Sequence, residues 1–172
     1  VTLSGGEPLL QIDFVRVIFE ICRHEGIHTA VETAANLPWL RIESVLPLLD
    51  LVMMDIKMMD SDKHQRSTGV PNDRILANAA RLGQGPTPLI VRTPIIPGLN
   101  DTADDIAAIA GFVADFPSLE YYELLPYHPM ATSKYRSLDQ EYDAADLKPP
   151  TKELMAELAE IAGRAGIPVR TG

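Results

Sequence analysis

Apolar residues recur along this chain in two alternating periods. Ile12-Asp13-Phe14-Val15-Arg16-Val17-Ile18-Phe19-Glu20-Ile21-Cys22 repeats them at i, i+3 and i+4, with Gly26 as a stop signal, which predicts a helix. Asp73 to Leu82, with Asp73 as its cap, Thr102 to Asp115 and Lys152 to Arg164 read the same way. Leu40 to Leu49 reads as a helix broken early by Pro47. Between these lie runs of strand composition: Val1 to Leu3, Ile27 to Thr33, Asp50 to Lys57, Pro88 to Ile96, Leu119 to Pro126, and a short one after Gly166. Leu51 to Met54 is apolar on both faces, as expected of a strand covered by helices on both sides. Strand and helix thus alternate about five times, which implies a parallel sheet with helices outside; five or six units are too few for a complete (β/α)8 barrel. The stretch from Pro129 to Pro150 is long for a connector.

Composition narrows the picture. The chain has 172 residues, 46% hydrophobic and 23% charged, so residues 1–172 are expected to form a single globular domain. A net charge of −9 with no cluster of Lys and Arg argues against nucleic acid or an anionic membrane surface as a partner. No apolar run reaches the length of a membrane span and no signal-peptide pattern is present, so a cytoplasmic location is expected. The single cysteine, Cys22, rules out an internal disulfide, and its apolar helical position reads as a packed thiol. The first eight residues, VTLSGGEP, already run from a strand into a glycine turn and lack an initiator Met; the chain is expected to be the back part of a longer polypeptide.

Parallel α/β sheets collect ligand-binding groups at the carboxyl ends of their strands. Here those ends carry Gly5, Gly6 and Glu7, then Glu32 and Thr33, then Asp55 and Lys57, then Arg92, and last Tyr127 and His128. Glu32 and Asp55 follow buried strand residues and need a partner, for which Lys57 is a candidate. His24, His28 and His64 fall on predicted surface beside charged residues and receive no role. Acids, a lysine and exposed turn backbone together suit a zwitterionic amino-acid moiety. There is no Walker lysine motif, no GxGxxG and no supported nucleophile–histidine arrangement. The residues by themselves therefore describe an α/β ligand-binding domain with a polar sheet edge. A non-catalytic binding domain and an unrelated α/β-barrel lyase using Lys57 for a carboxylate substrate remain alternatives on these grounds.

Ser4-Gly5-Gly6-Glu7-Pro8, the Asp55-Ile56-Lys57 strand end, Ile96-Pro97-Gly98-Leu99-Asn100-Asp101, Glu123-Leu124-Leu125-Pro126-Tyr127-His128 and Leu147-Lys148-Pro149-Pro150 fall in the order seen in radical S-adenosylmethionine enzymes. The likeness covers nearly the whole chain and is greatest for pyruvate formate-lyase activating enzymes and other activases of glycyl radical enzymes. The resemblance implies a partial (β/α)6 barrel, here expected without its first strand and cluster loop. It implies reductive cleavage of S-adenosylmethionine to a deoxyadenosyl radical that takes hydrogen from a glycine of pyruvate formate-lyase or a related partner. A flavodoxin or ferredoxin would supply the electron.

The same resemblance assigns Gly5, Gly6 and Glu7 to the amino end of the cofactor, Asp55, Ile56 and Lys57 to its methionyl carboxylate, and His128 to its nucleoside. It places Lys57 and Arg92 among the catalytic residues, and Glu32, Thr33 and Asp55 around a monovalent cation. Two departures stand out: Glu32 replaces the usual Asp, and Thr33-Ala34-Ala35 replaces Thr-Asn-Gly. The family's 4Fe–4S cluster is held by a CxxxCxxC loop upstream of the Gly-Gly-Glu-Pro turn, and no such loop occurs in these residues. The chain as given is expected to be inactive without it.

Overall fold

The computed structural model describes residues 1–128 and 147–172. In chain order these form β1 (Thr2–Leu3), a 3-10 turn (Pro8–Gln11), α1 (Ile12–His24), β2 (Ala30–Thr33), α2 (Trp39–Glu43), a second 3-10 turn (Leu46–Leu48), β3 (Leu51–Asp55), α3 (Ser61–Thr68), α4 (Asp73–Gly83), β4 (Leu89–Ile95), α5 (Ala103–Val113), β5 (Leu119–Pro126), α6 (Lys152–Gly163) and β6 (Val169–Thr171). Most of the Pro129 to Pro150 stretch lies outside the described residues.

All six strands pair in parallel, in the order of the sequence. Right-handed crossovers that always step the same way put every helix on one side of the sheet and curl it toward a barrel. The result is an open, partial barrel. Its outer face is the core: Val31, Val52, Met54, Val91, Tyr122 and Leu124 are buried there with Phe19, Ile75, Ile106, Ile109 and Leu158. Cys22 belongs to the same buried set.

The inner face is different. Along β3, Val52 and Met54 are buried while Leu51, Met53 and Asp55 are only half-buried. The expectation of helices on both sides of this strand is therefore corrected: among the described residues they cover one side, and the apolar run reflects a barrel lining.

Several local readings also change. Pro47 ends the helix earlier than expected, at Glu43, and the chain continues as a 3-10 turn with Pro47 in its first turn. The cap of α4 is Asn72, whose side chain makes no capping bond; Asp73 is the first helical residue and accepts from Ser61 Oγ at 3.1 Å. Helix α3 has no apolar periodicity and was not expected. Its signals are terminal: Asp60 accepts from Lys63 N at 2.8 Å, and Gly69 closes it with φ of +81°. This helix carries His64 inward, not onto the surface: it is 3% exposed, with Nδ1 2.7 Å from Val70 O. On α1, Leu10 just before it and Phe14, Val17 and Ile21 point outward and are exposed, and no described residue covers them.

Candidate functional site

The carboxyl ends of β1 to β5 form one edge. After β1 the chain turns through Gly5 at φ of +126°, and no atom lies within 4 Å of where a Cβ on Gly5 or Gly6 would stand. The turn presents bare backbone to open space, which only glycine does without strain. Glu7 faces away from that space. Its carboxylate accepts from Leu9 N at 3.3 Å, Thr33 Oγ1 at 2.8 and 2.9 Å and Ala34 N at 3.1 Å. It caps the first 3-10 turn and pins it to β2. Ala35 then adopts φ of +53°, a region that favours glycine, and its carbonyl is held by Asn78 Nδ2 at 2.8 Å.

On the inner face, strand pleating aligns Glu32 with Met53, and Asp55 with Arg92. Arg92 donates from Nη1 to Glu32 Oε1 at 3.0 Å, and from Nε and Nη2 to Asp55 Oδ1 at 3.1 and 3.0 Å. Ser4 Oγ donates to the other Glu32 oxygen at 2.6 Å. The arginine hydrogen bond, then that from Ser4, holds the Glu32 carboxyl below its ordinary range. Burial opposes the charge on Arg92, but its two carboxylate partners outweigh that and raise its pKa. Two carboxylates against one guanidinium leave this face with one net negative charge, suited to an ammonium or sulfonium centre.

The partner of Glu32 and Asp55 is therefore Arg92. The Lys57 ammonium makes no ion pair among the described residues; its backbone is fixed instead, by Asn100 Nδ2 on the carbonyl at 2.7 Å. Ile56 is buried, and Thr93 Oγ1 holds its carbonyl at 2.6 Å. The Thr33 hydroxyl is on the outer face, bonded to Glu7, and the Arg92 guanidinium bridges Glu32 and Asp55. Among the described residues no group of three or more His, Cys, Asp or Glu is placed to hold a metal ion. Exposed His128 opens onto a cavity of 520 Å³ lined with Pro126, Pro149, Lys152 and Met155.

Residues 1–113 match the model of the radical SAM superfamily. The chain belongs to that superfamily. It is 42% identical to the isethionate sulfite-lyase activating enzyme of Desulfovibrio desulfuricans over 97% of this chain and 55% of that protein. It is 35% identical to the pyruvate formate-lyase-activating enzyme of Staphylococcus aureus over 89% of this chain and 63% of the relative. A crystal structure of a domain of pyruvate-formate lyase-activating enzyme from Bacteroides vulgatus superposes with a TM-score of 0.83 at 32% identity, covering 100% of this chain and 98% of that one. The chain spans about half to two thirds of the length of these curated relatives.

Within this radical SAM chain, Ser4, Asn78 and Asn100 are site-shaping residues that sequence reading did not single out. Asn100 is fully buried, accepts from Ile96 N at 2.7 Å and donates to Pro94 O at 2.9 Å as well as to Lys57. It follows a turn in which Gly98 adopts φ of +76°. That the turn would reach across to the Lys57 loop was not visible in the spacing.

Proposed function

We propose that the protein is an activating enzyme of a glycyl radical enzyme and binds S-adenosylmethionine along this edge. The observation that carries the reading is the juxtaposition of an open Gly5-Gly6 backbone, one net negative charge around Arg92 and an ion-pair-free Lys57 ammonium, in a chain whose relatives are activating enzymes. The donor set fits the cofactor's amino-acid end. Gly5 and Gly6 meet the amino group through backbone, Glu32 and Asp55 face its positive charge, and Lys57, with Asp55 and Ile56 in the same strand end, receives the carboxylate. His128 flanks the nucleoside. Glu7 serves by holding the turn. Arg92 supplies a fixed positive charge between the acids, and Glu32, Thr33 and Asp55 are the residues that would border a monovalent cation beside the carboxylate.

S-adenosylmethionine, on one-electron reduction, supplies a carbon radical able to take hydrogen from a glycine. The residues here bind and orient it and keep water from the inner face. They do not fit an iron–sulfur cluster: the one thiol, Cys22, is packed in the core on α1. The reading extends to a flavodoxin or ferredoxin as electron donor and to a cytoplasmic location. No helix among the described residues is long and apolar enough to cross a membrane.

The test uses the full-length protein, reconstituted anaerobically and reduced with dithionite, with pyruvate formate-lyase and isethionate sulfite-lyase as candidate partners. A glycyl radical signal in electron paramagnetic resonance on at least one, with deoxyadenosine released, is expected. Deoxyadenosine without any partner radical would favour another radical SAM reaction, and neither product would overturn the reading.

A further inference from the structure

One row of the inner face carries alternating charge across four strands. Asp55, Arg92, Glu123 and Arg170 are successive register partners from β3 to β6. The first two pair with each other. The second two do not. Glu123 is half-buried between two arginines, yet no described residue gives it a hydrogen bond or an ion pair. The neighbour on one side is turned away, because each of the three Arg92 nitrogens is aimed at Glu32 or Asp55. On the other side, Arg170 lies back on the ring of Tyr121, with its guanidinium carbon 3.9 Å from the ring centroid. Opposite charges side by side on one sheet face ordinarily pair. Here a carboxylate with several empty acceptor positions sits beside a guanidinium whose in-plane donors are also unused among the described residues.

We infer that Glu123 and Arg170 form a docking pair for the peptide main chain of the partner's glycine loop. This rests on the proposed activating function. A glycine presents no side chain, so recognition of its neighbourhood must run through backbone N–H and C=O groups. Glu123 accepts from an amide N–H and Arg170 donates to a carbonyl, one strand spacing apart on the open side of the barrel. An extended peptide advances about 3.3 Å per residue, so adjacent peptide groups reach both. Tyr121 holds the guanidinium plane in a fixed orientation, which lowers the ordering needed on docking.

The test uses full-length wild type, Glu123→Gln, Arg170→Ala and Arg170→Lys with whichever candidate partner the wild type activates. Each loss of a charge-assisted bond is expected to raise the half-saturating partner concentration about tenfold, because such bonds are among the strong ones. Deoxyadenosine release without partner should stay within about twofold of wild type, and Arg170→Lys should recover part of the loss. Unchanged half-saturation in both Glu123→Gln and Arg170→Ala overturns the inference while leaving the activating function intact. Equal loss of partner activation and partner-free release also overturns it, by placing the pair on the cofactor or the fold. A wild type that gives deoxyadenosine but radicalises no partner removes the functional reading, and this inference with it.

Discussion

Arg92 and Asp55 are register partners on adjacent parallel strands, and the guanidinium reaches one carboxylate oxygen with two nitrogens, at 3.1 and 3.0 Å. Glu32 takes the third donor at 3.0 Å. With the Arg92 side chain 13% exposed, the network lies between a surface ion pair and a buried one. Replacing Arg92 by Met leaves two carboxylates facing each other without a cation. The expected cost is about 3 kcal/mol, read as a lower urea midpoint. Adding Glu32→Gln and Asp55→Asn should return much of it. A single variant within about 0.5 kcal/mol of wild type would show that the pair behaves as an exposed contact.

Acid should destabilise the fold through a short set of carboxyls. Glu32 is lowered by Arg92 and then Ser4. Asp50 is lowered first by the Thr29 backbone N–H. For Asp105 burial pushes upward, but hydrogen bonds from Lys63 at 2.8 and 2.9 Å and from Thr102 outweigh it, and the net direction is down. A folded-state pKa below the unfolded one stabilises above the unfolded value and is lost as pH falls through the folded one. Thermal midpoints should therefore hold from neutral pH to about 5 and decline below about 4.5, where unfolded carboxyls begin to protonate. Glu32→Gln should shallow that decline; an unchanged slope would remove Glu32 from the set.

The sheet was legible because short strand-forming runs alternate with helical periods, β3 being an apolar run closed by Asp55, and each major helix has a single apolar face. Parallel pairing follows from that alternation; the order β1 to β6 is read from the structure, because doubly wound sheets share the alternation and order their strands differently. Helix α3 was hidden because Asp60 and Gly69 mark its ends while nothing apolar marks its middle. The strand-end residues were legible as a set, but their pairing was not. Pairing depends on which face each side chain takes, and a one-residue difference in where a strand begins exchanges the faces. Lys57, two residues beyond Asp55 in sequence, looked like its partner; Arg92, 37 positions away, is the partner in space. Thr33 and Glu32 are adjacent in sequence and their side chains therefore take opposite faces, Thr33 toward Glu7 and Glu32 toward Arg92.

Asn100 offers a test of how the Lys57 loop is held. Its side chain satisfies Ile96 N, Lys57 O and Pro94 O in a fully buried setting. Asn100→Ala leaves three partly buried backbone groups without this partner and should cost about 3 kcal/mol. Asn100→Asp keeps the acceptor for Ile96 N and loses the two donations, so the Ile96 amide should exchange slowly in Asp and fast in Ala. Equal exchange rates in the two variants would contradict the assignment.

The last prediction concerns the cluster. A 4Fe–4S cluster in this superfamily needs several thiolates at short spacing. These 172 residues contain one cysteine, and α1 holds it at 6% exposure. Exposing it would mean unpacking the first helix, and a single ligand would still not assemble four irons. Anaerobic reconstitution of residues 1–172 with iron and sulfide should therefore give no stoichiometric absorbance near the usual iron–sulfur bands, and iron analysis after desalting should fall well below one atom per chain. Cys22→Ala should leave both readings unchanged. If the 172-residue chain takes up four irons, or if Cys22→Ala abolishes an uptake seen in wild type, then α1 opens in solution and the packed-thiol assignment is wrong.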